Sequence, residues 1–222
     1  GFFVYRILVG FGTVYFTFKI AQEVFPKKPI FQIIIPTLVS FQSMFTFVGS
    51  GVSGDNLLNF LFTVFLYLGV KIINEGVKLK TAFWLGIVSG LGILTKPQFF
   101  VALPLVLLLF VWEARKLNLK SLLGSLSLFI FSLLIFGGFW PLRLLFLTGS
   151  PLTVRLESFP NPYTSLTVWE YLKITTVRLV RETLPWYWGV FKWLGVTLPP
   201  LVNRILMRVL ALAIMGIFIQ TI

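Results

Sequence analysis

The chain has 222 residues, of which 57% are hydrophobic and only 12% are charged, and its mean hydropathy is +0.94. Soluble globular domains hold about 25% charged residues, so this composition excludes a water-soluble domain and predicts an integral membrane protein. The net charge is +12, and the basic residues lie mainly in short loops between apolar segments. This distribution is typical of cytoplasmic loops of a membrane protein and argues against a nucleic-acid-binding surface.

Apolar runs of membrane-spanning length follow one another along the chain. A transmembrane helix needs about 20 mostly apolar residues to cross the hydrocarbon core of a bilayer. Most of the runs reach that length, and short loops with charged or turn-forming residues separate them. The runs cover residues 2–21, 30–47, 56–73, 82–112, 122–140 and 203–222.

The run over 82–112 is too long for one span. As a straight helix it would measure about 46 Å, against a hydrocarbon core of about 30 Å. Pro97 follows Lys96 near its middle and breaks a helix there, so we predict two half-length helices that meet at this point. That reversal places all the basic loops on one side, in agreement with the positive-inside rule. These loops carry Lys27, Lys28, Lys78, Lys80, Arg115, Lys116 and Lys120.

These patterns predict an all-α, polytopic integral membrane domain in the cell membrane with about seven spans or half-spans. Residues 1–140 form its transmembrane helical core. Residues 141–200 form an outer-face loop in which SLTVWEYLKITTVRLVRETL is an amphipathic interfacial helix. Residues 201–222 begin a further transmembrane helix. Because the chain starts without Met inside an apolar run, we interpret it as an internal piece of a longer protein.

Few side chains in this sequence can carry chemistry. The absence of Cys and His excludes thiol or imidazole catalysis and Cys/His zinc sites within this chain. Asp55 is the only aspartate, and an acid near the apolar core is costly enough to suggest function. The alternative is that Asp55 caps the helix that follows it.

Two cations are predicted on the same face as Asp55. Lys96 is either a lysine whose ammonium reaches the interface or the cation that binds a phosphate group. Arg143 is placed to assist it.

Three sequence segments resemble the GT-C glycosyltransferase superfamily. They are GDNLL at 54–58, LGIVSGLGILTKPQFFVALP at 85–104 and WYWGVFKWLGVTLPP at 186–200. In the protein mannosyltransferases and the lipid A aminoarabinose transferase, an acidic residue opens a helix on the outer face and a glycine-rich helix ends in Leu-Thr-Lys. The third segment resembles a bacterial family of membrane proteins allied to these enzymes.

The resemblance implies transfer of a sugar from a polyprenyl-phosphate donor to an acceptor on the outer face. Asp55 would then position the acceptor, act as base or hold a divalent cation, and Asn56 would bind a sugar hydroxyl. Lys96, with Arg143 by position, would hold the donor phosphate. The main catalytic acid of the superfamily would precede Gly1. The distribution of the charge predicts no nucleic-acid partner. Besides the lipid-linked sugar donor, the expected partner is membrane lipid.

Two other classes of function stay open at this stage. Broken helices and intramembrane charge also mark transporters and translocases of lipid-linked precursors, although no internal repeat is visible. A non-catalytic membrane scaffold is the third interpretation.

Overall fold

The computed structural model describes residues 1–51, 53–115, 118–149, 166–191 and 196–220, with the side chains of 217, 218 and 220 excepted. The chain divides into two compact units. The described part of the first unit covers 1–41, 48–51, 53–115 and 118–149, and that of the second covers 42–47, 166–191 and 196–220.

The described residues are mostly helical, as predicted. The helices up to the end of the first unit are α1 (Phe2–Val24), α2 (Pro29–Ser40), α3 (Ser43–Ser50), α4 (Gly54–Glu75), α5 (Leu79–Thr95), a 3-10 turn (Pro97–Val101), α6 (Ala102–Ala114), α7 (Leu119–Gly137) and α8 (Phe139–Thr148). The second unit continues with α9 (Val168–Arg178), one π-helical turn (Leu179–Thr183), α10 (Leu184–Trp188), strands β1 (Val190–Phe191) and β2 (Val196–Thr197), and α11 (Pro200–Gln220). The two short antiparallel strands depart from the all-α prediction.

Within the part of the chain that the structure describes, four helical segments are long and apolar enough to cross a membrane, and a bent pair raises the number to five. The four are Phe2–Val24, Gly54–Glu75, Pro97–Ala114 and Leu119–Gly137. This establishes several candidate spans, and the count of seven spans or half-spans stays a prediction.

The bent pair corrects the prediction of one continuous span over 30–47. There α2 and α3 meet at 53°. Gln42 lies at the break, where its side-chain oxygen accepts a hydrogen bond from the Phe45 amide and its backbone carbonyl accepts one from Thr46. A polar side chain that satisfies the first amides of a helix starts a new helix locally.

The helix break at Lys96 is confirmed. Helix α5 ends at Thr95, Lys96 adopts an extended backbone, and Pro97 opens the 3-10 turn. Lys96 contacts Asp55 at the start of α4, whereas Glu113, near the end of α6, lies close to Gly76 at the end of α4. The chain therefore reverses direction between α5 and α6.

Glycines bring α5 and α7 into close contact. A Cβ atom on Gly90 would lie 2.7 Å from the amide nitrogen of Gly137, and one on Gly86 would lie 2.0 Å from the Ser132 hydroxyl. Small residues let helix backbones approach in this way. The glycine-rich string GIVSGLG thus serves helix packing and has no phosphate-binding loop geometry.

Contacts group the turns of the first unit at two ends. Asp55 and Lys96 lie at one end, which we call the Asp55 end. At the other end Asn74 of α4 donates to Glu23 of α1, and Gly76 lies near Glu113. We call it the basic end, because its turns and the first residues of the helices that follow carry Lys27, Lys28, Lys78, Lys80, Arg115 and Lys120. Lys116 lies outside the described residues, and the membrane leaflet that each end faces stays a prediction.

The region predicted as an outer loop over 141–200 contains more helix than expected. Helix α8 extends to Thr148, beyond the predicted end of the core at 140. The segment predicted as an amphipathic helix is helical: α9 starts after a capping box formed by Thr167 and Glu170, and a π-helical turn follows it. Its location at a membrane surface stays a prediction, as does the crossing of a membrane by α11. Residues 150–165 lie outside the described residues.

Candidate functional site

Asp55 lies in the first turn of α4, but it is not the cap of that helix. Ser53 is the N-cap, and its hydroxyl oxygen accepts a hydrogen bond from the Asp55 amide at 3.1 Å. The same hydroxyl donates to Oδ2 of Asp55 at 2.7 Å. The cap alternative is therefore wrong for Asp55. Its carboxylate still benefits from the positive end of the helix dipole, and its other oxygen is directed elsewhere.

Lys96 supplies the partner for that second oxygen. Its ammonium donates to Oδ1 of Asp55 and forms a salt bridge between the end of α5 and the start of α4. The extended backbone at Lys96, between α5 and the 3-10 turn, leaves its side chain outside both helices. Two residues that are 41 positions apart in sequence thus form one charged pair.

The pair is partly open to its surroundings. The side chain of Asp55 is 42% exposed and that of Lys96 is 33% exposed. Ion pairs with this degree of exposure contribute about 1 kcal/mol or less to stability. A ligand with its own anionic group can therefore replace Asp55 as the partner of Lys96 at small cost.

Asn56 points into the loop that precedes α4. It is buried, and its side-chain amide donates to the Gly51 carbonyl at 3.0 Å. In this arrangement Asn56 fixes the loop residue Gly51 relative to the start of α4. Its predicted bond to a sugar hydroxyl stays a prediction.

Arg143 lies on α8, beside Trp140. It is exposed on α8, and its guanidinium lies over the Trp140 ring at 5.4 Å from the ring centroid. Within the described residues it forms no hydrogen bond or ion pair with Asp55 or Lys96. The structure brings Asp55 and Lys96 into contact, with Asn56 next to Asp55 in the chain, and the role of Arg143 at the donor phosphate stays a prediction.

The sequence interpretation missed two residues at this end of the unit. Ser53 fixes one oxygen of the Asp55 carboxylate, and a serine just before a helix is a local signal that could have been recognised. Arg6 of α1 donates to the Ser50 carbonyl, next to the Gly51 carbonyl that binds Asn56. That contact depends on how α1 meets the loop before α4, so no local pattern predicts it.

The predicted divalent cation does not fit this arrangement. Both oxygens of Asp55 are engaged, one by a hydroxyl and the other by an ammonium that repels a cation. Among the described residues there is no group of three acidic, Cys or His side chains that could hold a metal ion. Asp55 alone offers too few ligands for Mg²⁺ or Ca²⁺.

Comparisons of the chain with protein families, with curated proteins and with solved structures gave no match.

Proposed function

We propose that the chain forms part of a membrane glycosyltransferase that moves a sugar from a polyprenyl-phosphate donor to an acceptor on the outer face. The observation that carries this proposal is the Asp55–Lys96 pair, which joins the start of α4 to the end of α5. The pair joins an acid able to accept a proton with a cation able to bind phosphate. The resemblance of the two flanking segments to the GT-C superfamily supports the same assignment.

The pair offers a simple sequence of events. When the donor phosphate binds, it takes the place of the Asp55 carboxylate at the Lys96 ammonium, which releases Oδ1 of Asp55. That oxygen then accepts the proton of the acceptor hydroxyl while the bond from the sugar to the phosphate breaks and a bond to the acceptor oxygen forms. Lys96 stabilises the negative charge that the departing phosphate gains. The Ser53 hydroxyl keeps the carboxylate oriented during both steps by its hydrogen bond to Oδ2.

The distribution of charge supports an outer-face site. The Asp55 end carries few charges, and the opposite end carries the lysine-rich turns. By the positive-inside rule the basic end would face the cytoplasm, which directs Asp55 and Lys96 outward.

The direct test is sugar transfer by the full protein in membranes, with a labelled polyprenyl-phosphate sugar as donor. We expect Asp55→Asn to lower turnover about 100-fold or more, because a positioned general base contributes about 10²–10⁴-fold. Lys96→Gln should mainly raise the apparent KM for the donor, and Lys96→Arg should restore part of the binding. Glu75→Gln is the matched control, since Glu75 is an ion-paired acid of the same helix at the basic end.

Unchanged turnover of the Asp55→Asn variant would remove Asp55 from the mechanism. A donor KM that is unaffected by Lys96→Gln would in turn remove the phosphate-binding role of Lys96.

Transport of a lipid-linked precursor is the second candidate, and the helix breaks favour it. The 53° bend between α2 and α3 and the interruption at Lys96 resemble the broken helices that line transport sites. Movement of a labelled lipid-linked precursor across proteoliposomes, without any sugar transfer, would select this function over the first.

A further inference from the structure

An open apolar groove separates α1 from α2 in the first unit. Its volume is about 360 Å³. Phe11, Tyr15 and Phe18 form one wall, and Ile33, Pro36 and Phe41 form much of the other. The rings of Phe11 and Phe41 are 68% and 83% exposed, so the groove opens to the surface of the unit.

The threonine and serine hydroxyls of the groove do not make it polar. Thr37 donates to the Ile33 carbonyl and Ser40 donates to the Pro36 carbonyl, both at 2.8 Å and both within α2. These hydroxyls are therefore satisfied inside their own helix. An occupant of the groove meets almost entirely hydrocarbon, which favours an aliphatic chain.

The turn that joins the two helices places positive charge at one mouth of this groove. Lys19 lies one helical turn beyond Tyr15, and its ammonium is 5.7 Å from the centroid of the Tyr15 ring. It donates to Gln22 at 3.2 Å, which leaves further N–H groups of the ammonium for another acceptor. Lys27 and Lys28 are exposed in the turn between α1 and α2, where the Lys28 ammonium lies 5.8 Å from the centroid of the Phe31 ring. The nearby acid, Glu23, accepts a hydrogen bond from Asn74.

We propose that this groove binds an anionic phospholipid of the leaflet at the basic end. One acyl chain lies between α1 and α2, and the head-group phosphate lies at Lys19 with Lys27 and Lys28 around it. An apolar slot with three lysines at one mouth is complementary to an anionic amphiphile. A neutral lipid or an apolar protein helix would offer no negative charge to these three lysines. The site is separate from the Asp55–Lys96 pair and does not depend on sugar transfer.

The test uses the full protein in phosphatidylcholine nanodiscs that contain a phosphatidylglycerol probe with a photoreactive group in its acyl chain. We expect cross-links in the peptides that cover 11–18 and 33–41. Lys19→Gln should weaken labelling about fivefold, the effect expected for one lysine near an anionic surface. Lys80→Gln, which removes an exposed lysine from another turn of the basic end, should leave labelling unchanged.

A second pair of variants tests the groove itself. Thr37→Trp fills the slot and should abolish labelling at 11–18, whereas Leu38→Trp adds the same ring at an exposed position outside the lining and should not. Equal labelling by a phosphatidylcholine probe would overturn the proposal by removing the role of the charge. Cross-links from the groove to a second copy of the chain would overturn it in favour of a protein occupant. If Thr37→Trp fails to fold, the Lys19 and Lys80 variants still decide the question.

Discussion

The contact between α5 and α7 can be tested with a single methyl group. A Cβ atom on Gly90 would lie 2.7 Å from the amide nitrogen of Gly137 and 3.0 Å from the carbonyl oxygen of Leu133. Both neighbours are backbone atoms, which cannot rotate away as a side chain can. In Gly90→Ala the helices must therefore separate, and overpacking of this kind costs about 1–3 kcal/mol.

Gly10→Ala is the matched control for this variant. Gly10 also lies in an apolar helix, α1, but a Cβ atom there would meet nothing within 4 Å. The control should be neutral or more stable by up to about 1 kcal/mol, because alanine has the higher helix propensity. The free energy of unfolding of both variants is measured by titration with sodium dodecyl sulfate in mixed micelles, followed by circular dichroism.

Gly137→Ala extends the measurement to a double-mutant cycle. A Cβ atom on Gly137 would lie 2.7 Å from Cα of Gly90, so both substitutions act on the same gap between the helices. Separation caused by the first methyl group makes room for the second, and the double variant should lose less stability than the sum of the single variants. Equal unfolding free energies for Gly90→Ala and Gly10→Ala would show that α5 and α7 do not approach this closely.

The remaining predictions concern two helix starts. Ser53→Ala should lower the free energy of unfolding by about 1 kcal/mol through loss of the α4 cap. Gly54→Ala should leave the free energy of unfolding nearly unchanged, because the new Cβ atom would lie 3.9 Å from Cε of Lys96 and 4.0 Å from the Thr95 carbonyl. A larger loss of stability for Gly54→Ala than for Ser53→Ala would contradict the assignment of the cap. In α9 the backbone amide and hydroxyl of Thr167 donate to the Glu170 carboxylate and lower its pKa below its usual value. The stabilisation of α9 is therefore complete above the unfolded-state pKa and is lost as pH falls through the lowered value. A carboxyl titration of Glu170 by NMR at or above the usual pKa would refute this capping box.

The helices and the helix break that depend on the local sequence could be predicted from the sequence alone. Long apolar runs identify α1, α4 and α7, because a bilayer sets the length that a helix needs. Pro97 breaks the helix ladder, and the limit on helix length makes the break necessary. The charge pattern of the loops then required the chain to reverse at Lys96, which agrees with its contact to Asp55.

The features that depend on tertiary contacts could not be predicted in this way. Both Ser53 and Asp55 are residues that often cap helices; the Asp55 amide donates to the Ser53 hydroxyl, which makes Ser53 the cap, while the Asp55 carboxylate contacts Lys96, 41 positions away in sequence. The bend at Gln42 interrupts a run that is apolar on both sides, so hydropathy alone predicts one helix there. Helix α8 continues the helical structure beyond residue 140 and brings the Arg143 guanidinium over the Trp140 ring, a contact that the predicted outer loop did not contain.

The energetics of the Asp55–Lys96 pair favour a functional explanation over a structural one. A charge near the apolar core of a membrane costs up to about 2.5–3.5 kcal/mol on insertion scales, and less toward the interface. A partly exposed pair returns about 1 kcal/mol or less. The Ser53 cap contributes to the start of α4, and close glycine contacts pack α5 against α7, so both helices have stabilising contacts other than the pair. Charges that contribute so little to the fold, and that a competing anion can separate, have the properties expected of a ligand-binding site.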